Sequence, residues 1–191
     1  MKRSKLSSYK VWIIFLFFII VNISGLLSLS GCQSKAKPSF IILAVDNLSF
    51  NSFACSDDKS RQTSGLSSLC QESLRFTHAY TASTSSAGAM ASLLTGAYPY
   101  RHHIHRSRDR LNSKEISVAE LSSAKGYRTS FWSGSPTILR KTGLARGFDY
   151  FDDLSFLDKK NYLVSLNQQT ELFLNWQNES NLPFFSIIYN S

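Results

Sequence analysis

Hydroxyl side chains crowd one short stretch of this chain. Thr81, Ser83, Thr84, Ser85 and Ser86 are followed directly by small and apolar residues, Ala87 to Thr95, and the segment closes on Gly96 and Tyr98-Pro99. A loop running into a helix leaves backbone N–H groups without intrahelical acceptors and places the positive end of the helix dipole beside those hydroxyls. A tetrahedral anion can meet a serine nucleophile in such a place. Serines also cap helices, so capping is the competing explanation for each of them. Asp46 is the second residue of interest, a carboxylate directly after the apolar run Ser39–Val45, where it could bind a metal or simply cap the next turn. Three histidines, His102, His103 and His105, follow Pro99 and offer nitrogen ligands by type, if not by spacing.

The elements that would carry these residues alternate. SFIILAV at 39–45 predicts a strand buried on both faces. Leu66, Leu69, Cys70, Ser73 and Leu74 recur at helical spacing and predict an amphipathic helix over 64–74. Arg75–Tyr80 predicts a short strand into the hydroxyl-rich loop. Ser117-Val118-Ala119-Glu120 is a capping box, with Ile116 and Leu121 placed as a hydrophobic staple, and Gly126 ends that helix. Tyr127–Ser133 predicts a strand, Gly134–Lys160 an irregular stretch, and 162–178 a helix with Leu163, Leu166, Thr170 and Phe173 on one face. FFSIIY at 184–189 predicts another buried strand. Strands alternating with helices imply an α/β fold, a mainly parallel sheet with helices on both faces, and active residues at the carboxyl ends of its strands.

The segment Ser83–Pro99 resembles the nucleophile segment of the sulfatase family, within the alkaline phosphatase-like superfamily, whose members commonly read C/S/T-x-P-S-x-A-x-L-L-T-G-x-Y-P. Counting back from Gly96 places Ser86 at the nucleophile. LAVDNLSFNSFAC resembles the family's opening strand and metal segment, which implies Asp46 as a cation ligand. Asn47 stands where many sulfatases have a second aspartate; an amide oxygen coordinates a hard cation more weakly than a carboxylate. The resemblance implies a divalent cation, calcium or magnesium rather than zinc, held by Asp46, Asn47 and Ser86. It also implies a hydrolase of sulfate or phosphate esters, small or carried on glycans.

The chain departs from the family pattern in several places. Gly88 and Met90 replace the proline and arginine that guide conversion of the nucleophile to formylglycine, so an unmodified Ser86 is expected, better suited to phosphate than to sulfate esters. SFWSGSPTILR replaces the G-K-W-H segment with its anion-binding lysine and histidine. His102 matches the histidine that organises the loop, and His103 stands at the following glycine. GLARGFDYFDD resembles a structural loop, which implies surface or turn positions for Asp149, Asp152 and Asp153. PFFSIIYNS resembles the strand that leads into a D-P-H segment. The likeness therefore covers only the N-terminal part of a sulfatase-like domain, 39–191, incomplete at the C-terminus. A complementary C-terminal polypeptide is one expectation. A non-catalytic envelope lipoprotein is the alternative: a remnant, a split half, or a module that binds anionic glycans through the basic residues at 101–110.

Residues 1–31 read as a processing segment. Lys2, Arg3, Lys5 and Lys10 precede an almost wholly apolar run, Val11–Leu29, long enough to serve as an uncleaved anchor. Leu29-Ser30-Gly31-Cys32 resembles the lipobox of bacterial lipoproteins, which implies acylation of Cys32 and a lipid-anchored protein outside the cytoplasmic membrane, in the outer membrane where one exists. Residues 32–38 then form a tether. Of the net charge of +8, four positive charges lie in this leader and leave +4 for the remainder. Its basic residues lack the interleaved aromatics of a nucleic-acid groove, so no nucleic-acid partner is expected. Cys55 and Cys70 could pair in an oxidising compartment or stay free and buried.

Overall fold

The computed structural model describes residues 36–48, 64–133, 136–153 and 166–190. The chain divides into two compact units, Met1–Lys37 and Pro38–Ser191, and the architecture below belongs to the second. Among the described residues its strands are β1 (Phe40–Val45), β2 (Arg128–Ser133), β3 (Tyr150–Asp152) and β4 (Phe184–Asn190). Its α-helices are α1 (Ser64–Glu72), α2 (Ser86–Thr95), the single turn α3 (Pro99–His102), α4 (Val118–Ala124) and α5 (Leu166–Asn178). The strands form one sheet in the order β1-β4-β2-β3, and each pairing is parallel.

Alternation along β4 explains how one strand serves two layers. Phe185, Ile187 and Tyr189 face one side, in a core shared with Phe131 and Phe151 and closed by Met90, Ala91 and Leu94 of α2 and Ala119 of α4. Ile188 faces the other side, where Phe173 and Trp176 of α5 cover Trp132. Beneath α5 two serines are buried, Ser130 and Ser186, and their hydroxyls pair at 2.7 Å while Trp132 Nε1 donates to Ser130 Oγ at 3.0 Å. No polar group of that trio is left without a partner, as a dry layer requires.

The capping box forms as the sequence predicts: Ser117 Oγ accepts from the Glu120 amide, and the Glu120 carboxylate accepts from the Ser117 amide. Gly126 follows that helix with φ of 78°. Several expectations are corrected. Strand β1 is not buried on both faces; Ile41, Leu43 and Val45 are each more than two-fifths exposed, because β1 sits at the sheet edge and α5 packs on β4 and β2. No strand forms over Arg75–Tyr80, which is exposed throughout. Ile116 and Leu121 are both more than half exposed, so the expected staple buries little. Leu69 and Leu74 are likewise exposed rather than packed. The stretch after β2 is more ordered than expected, with a 3₁₀ turn at Arg140–Thr142 and β3 itself. On α5 the inward residues are Gln169, Phe173 and Trp176, with Thr170 half-buried; Leu163 lies outside the described residues, as does the side chain of Leu166. Cys70 is disulfide-bonded, and its partner lies outside the described residues. Cys32, the expected tether and the apolar leader lie outside them as well, apart from residues 36–38. Among the described residues no helix is long and apolar enough to cross a membrane.

Candidate active site

Three elements converge at the carboxyl ends of β1 and β4. Asp46 follows β1 directly, and its amide donates to Asn190 O of β4 at 2.8 Å, extending the parallel ladder by one residue. Ser86 opens α2, forty positions along the chain. Its hydroxyl donates to Asp46 Oδ2 at 2.6 Å. The phenol of Tyr189 donates to the same oxygen at 2.8 Å, while the Asn47 amide donates to Oδ1 at 3.1 Å. Hydrogen bonds to a charged acceptor stabilise by about 1.5–3 kcal/mol each, enough to hold one carboxylate rotamer.

The hydroxyl-rich loop divides its labour. Thr81 Oγ1 donates to Ser83 O at 2.9 Å, and Ser83 Oγ accepts from the Ser85 amide at 3.1 Å. Ser85 is the N-cap of α2, its side chain accepting from the Gly88 amide at 3.5 Å. Thr84 is exposed. Ser86 is therefore the hydroxyl aimed at the carboxylate, and its neighbours build the turn that aims it. Gly88 is required by crowding: a Cβ there would lie 2.5 Å from Ser83 Oγ and 3.0 Å from Ile104 O. The C-terminus of α2 is set by Gly96 in the left-handed region at φ of 65°.

The pair lines an open cleft of about 670 Å³ together with Asn47, residues 80–85, Met90, Ser92 and Tyr189. Burial pushes the Tyr189 phenol above its ordinary value, so it stays protonated and remains a donor at neutral pH. Asn47 lines the cleft with left-handed backbone at φ of 57°, a conformation asparagine tolerates better than most residues.

The histidines do not join the site. His102 is fully buried; its Nδ1 accepts from the Ile104 amide at 3.0 Å and its Nε2 lies 2.9 Å from Ser92 Oγ. That arrangement fixes a neutral ring with the proton on Nε2, and burial pulls its pKa below 6.5. His103 caps α3 with φ of 64°, the left-handed conformation a glycine would take more easily. His105 is exposed, its amide bound by the Asp109 carboxylate at 2.9 Å.

Several charged residues of 101–110 and 140–146 tie loops together. Arg101 forks onto Glu115 at 3.0–3.3 Å, and Arg146 bonds the carbonyls of Ser113 and Glu115. Asp149 accepts from the Thr129 amide at 2.9 Å, and Asp153 from the Arg140 amide at 2.7 Å, as turn residues do. Asp152 differs from expectation, being buried on β3.

Hard divalent cations take six or more oxygen ligands. Asp46, Ser86 and the adjacent Asn47 suit such an ion in kind, and the described residues that line the cleft offer it oxygen donors. They supply one side of a coordination shell: among the described residues no three of His, Cys, Asp and Glu gather as a metal group. Tyr189 is the member that sequence reasoning missed. Its signal was a residue with an apolar body and a polar tip ending a buried strand.

A hydroxyl and a carboxylate thus meet at the carboxyl rim of a parallel α/β sheet of alkaline phosphatase-like fold. The chain belongs to the sulfatase family, whose family model matches residues 38–189. It is 30% identical over 100 residues to an ulvan-active sulfatase of Formosa agariphila, covering 52% of this chain and 20% of that protein. It is 34% identical over 113 residues to human arylsulfatase A, covering 56% of this chain and 22% of the relative. The chain thus spans about a fifth of the length of these curated relatives. In fold it matches a protein solved with its substrate D-glucosamine-2-N,6-O-disulfate, at a TM-score of 0.67 and 19% identity over 81% of this chain and 34% of the other. It also matches the phosphonate monoester hydrolase of Agrobacterium radiobacter, at 0.63 and 17% over 81% and 40%.

Proposed function

We propose that the chain carries the nucleophile side of a metal-assisted hydrolase of sulfate or phosphate esters, with Ser86 as nucleophile and Asp46 as cation ligand. One observation carries this reading: the 2.6 Å bond between Ser86 Oγ and Asp46 Oδ2, made across forty residues at the mouth of a cleft. Asp46, Ser86 and Asn47 would hold calcium or magnesium, which when bound would stabilise negative charge on the serine oxygen and on the ester oxygens. Ser86 Oγ is the atom that would bond to sulfur or phosphorus, and its proton already points at Asp46. Of the first-turn N–H groups of α2, those of Ser86 and Ala87 would be the donors for the equatorial oxygens, the Gly88 amide being capped by Ser85.

An unmodified serine is the chemical form proposed for position 86. Gly88 and Met90 support it, because they stand where the proline and arginine that guide the conversion would be. The solved neighbours act on a sulfated amino sugar in one case and a phosphonate monoester in the other, so both anion classes are candidate substrates here. The test is hydrolysis of p-nitrophenyl sulfate and phosphate by the full chain with calcium or magnesium, beside Ser86→Ala. Turnover lost in the variant supports the reading, and turnover equal in both defeats it.

The second reading, a non-catalytic envelope lipoprotein, draws on one observation, the short ligand set among the described residues. Ester turnover that depends on Ser86 would eliminate it. Under either reading we propose lipidation at Cys32 and an envelope location, tested by palmitate labelling in cells: wild-type chain labelled, Cys32→Ala unlabelled. A complementary C-terminal polypeptide would complete the shell, and co-expression with such a segment is its test.

A further inference from the structure

We propose that Tyr189 is a positioning residue: its phenol, held by the core, fixes the carboxylate of Asp46 against Ser86. The inference rests on the hydrolase reading for what the pair does, and on geometry alone for what Tyr189 does to it.

Asp46 has little packing of its own. It is half-buried, it follows an edge strand, and the next two residues, Asn47 and Leu48, are exposed. A carboxylate in that setting samples several rotamers unless hydrogen bonds select one. Its donors are not equivalent. The Asn47 amide belongs to the adjoining residue and moves with it. Ser86 is the group to be oriented, so it cannot serve as the reference. Tyr189 is the donor anchored independently: it is 4% exposed, its body packs in the core with Phe185 and Ile187, and it lies within β4, the strand paired on both sides by β1 and β2. Its hydroxyl emerges at the cleft and reaches Oδ2 at 2.8 Å, the oxygen that also accepts from Ser86 at 2.6 Å. Two hydroxyls share Oδ2, whereas among the described residues Oδ1 takes the Asn47 amide alone, which makes it the more open face for a cation.

Phenylalanine at this position keeps the ring and removes one hydroxyl, so it separates packing from positioning. Asp46 can take water in place of the lost donor, and global stability should change little. Crystal structures of the wild-type chain, Tyr189→Phe and Ser86→Ala decide the matter. The expected result is an ordered Asp46 in the wild type and in Ser86→Ala. In Tyr189→Phe the Ser86–Asp46 bond should be lost, or Asp46 spread over more than one rotamer. A Tyr189→Phe structure with that bond intact overturns the proposal, as does a disordered Asp46 in Ser86→Ala. Calcium titration of the same proteins gives a second readout. Where the wild type binds, Tyr189→Phe should bind about tenfold more weakly, and an unchanged affinity overturns the proposal. Failure of the wild type to bind calcium would count against the hydrolase reading instead, and the three structures would still judge Tyr189.

Discussion

Replacing Gly88 by alanine probes whether the hydroxyl-rich loop before α2 is built as tightly as its geometry implies. The new Cβ would lie 2.5 Å from Ser83 Oγ, 3.0 Å from Ser83 Cβ and 3.0 Å from Ile104 O. The first contact must be relieved, and Ser83 can rotate away only by giving up its 3.1 Å bond from the Ser85 amide. Backbone at Ile104 cannot yield easily, since its amide is held by the buried His102 ring at 3.0 Å. Overpacking of this kind costs about 1–3 kcal/mol. In a chain of this size that corresponds to a fall in Tm of about 2–4 °C per kcal/mol. Urea and thermal melts of wild type, G88A, S83A and the double variant form a cycle. Ser83→Ala removes the 2.5 Å contact and leaves the 3.0 Å ones, so the double variant should recover about half of the loss. A G88A protein as stable as wild type, or a double variant no better than the sum of the singles, would refute the reasoning.

Three further outcomes follow from the structure. His102 is held neutral with its pKa below 6.5, so its contribution to stability is present above that value and drains away as the pH falls through the folded-state pKa; urea melts between pH 7 and 5 should show the wild type losing stability that His102→Asn does not lose. Ser117→Ala removes the cap of α4 and the bond to Arg146 O at 3.2 Å, which should cost about 1 kcal/mol in the same melts. Peptide mass spectrometry of the chain from its natural host should find residue 86 at the mass of serine; a formylglycine mass there would contradict the proposed chemistry.

The parallel sheet was readable because β4 is largely apolar on both faces, and because the capping box at Ser117 and the glycine at 126 bracket α4 and mark where β2 follows. Strand β1 carries the same apolar signature yet stands at the edge. Sequence pattern reports how a segment would like to be buried, and the neighbours decide whether it is. Strand β3 is three residues long, too short to show a period, and it forms because Phe151 stacks on Phe131 with ring centres 4.6 Å apart. At the site, Asp46 and Ser86 were legible from type and resemblance. Sequence could not choose among the five neighbouring hydroxyl residues, since capping and nucleophile chemistry use the same side chains; geometry adds that Ser86 is the one bonded to Asp46. Tyr189 stayed hidden because a tyrosine ending an apolar strand reads as core, and its body is core.

The most direct test of the central claim is a calorimetric titration of the full chain with calcium and with magnesium, beside Asp46→Asn, which keeps the volume and removes the charge. Saturable binding is expected with a Kd of about millimolar or tighter, as weak oxygen-ligand sites show. Binding should weaken by about tenfold or more in Asp46→Asn, a loss of at least 1.4 kcal/mol. Isotherms that coincide for the two proteins, or a wild type that shows no saturable heat with either ion, would contradict it.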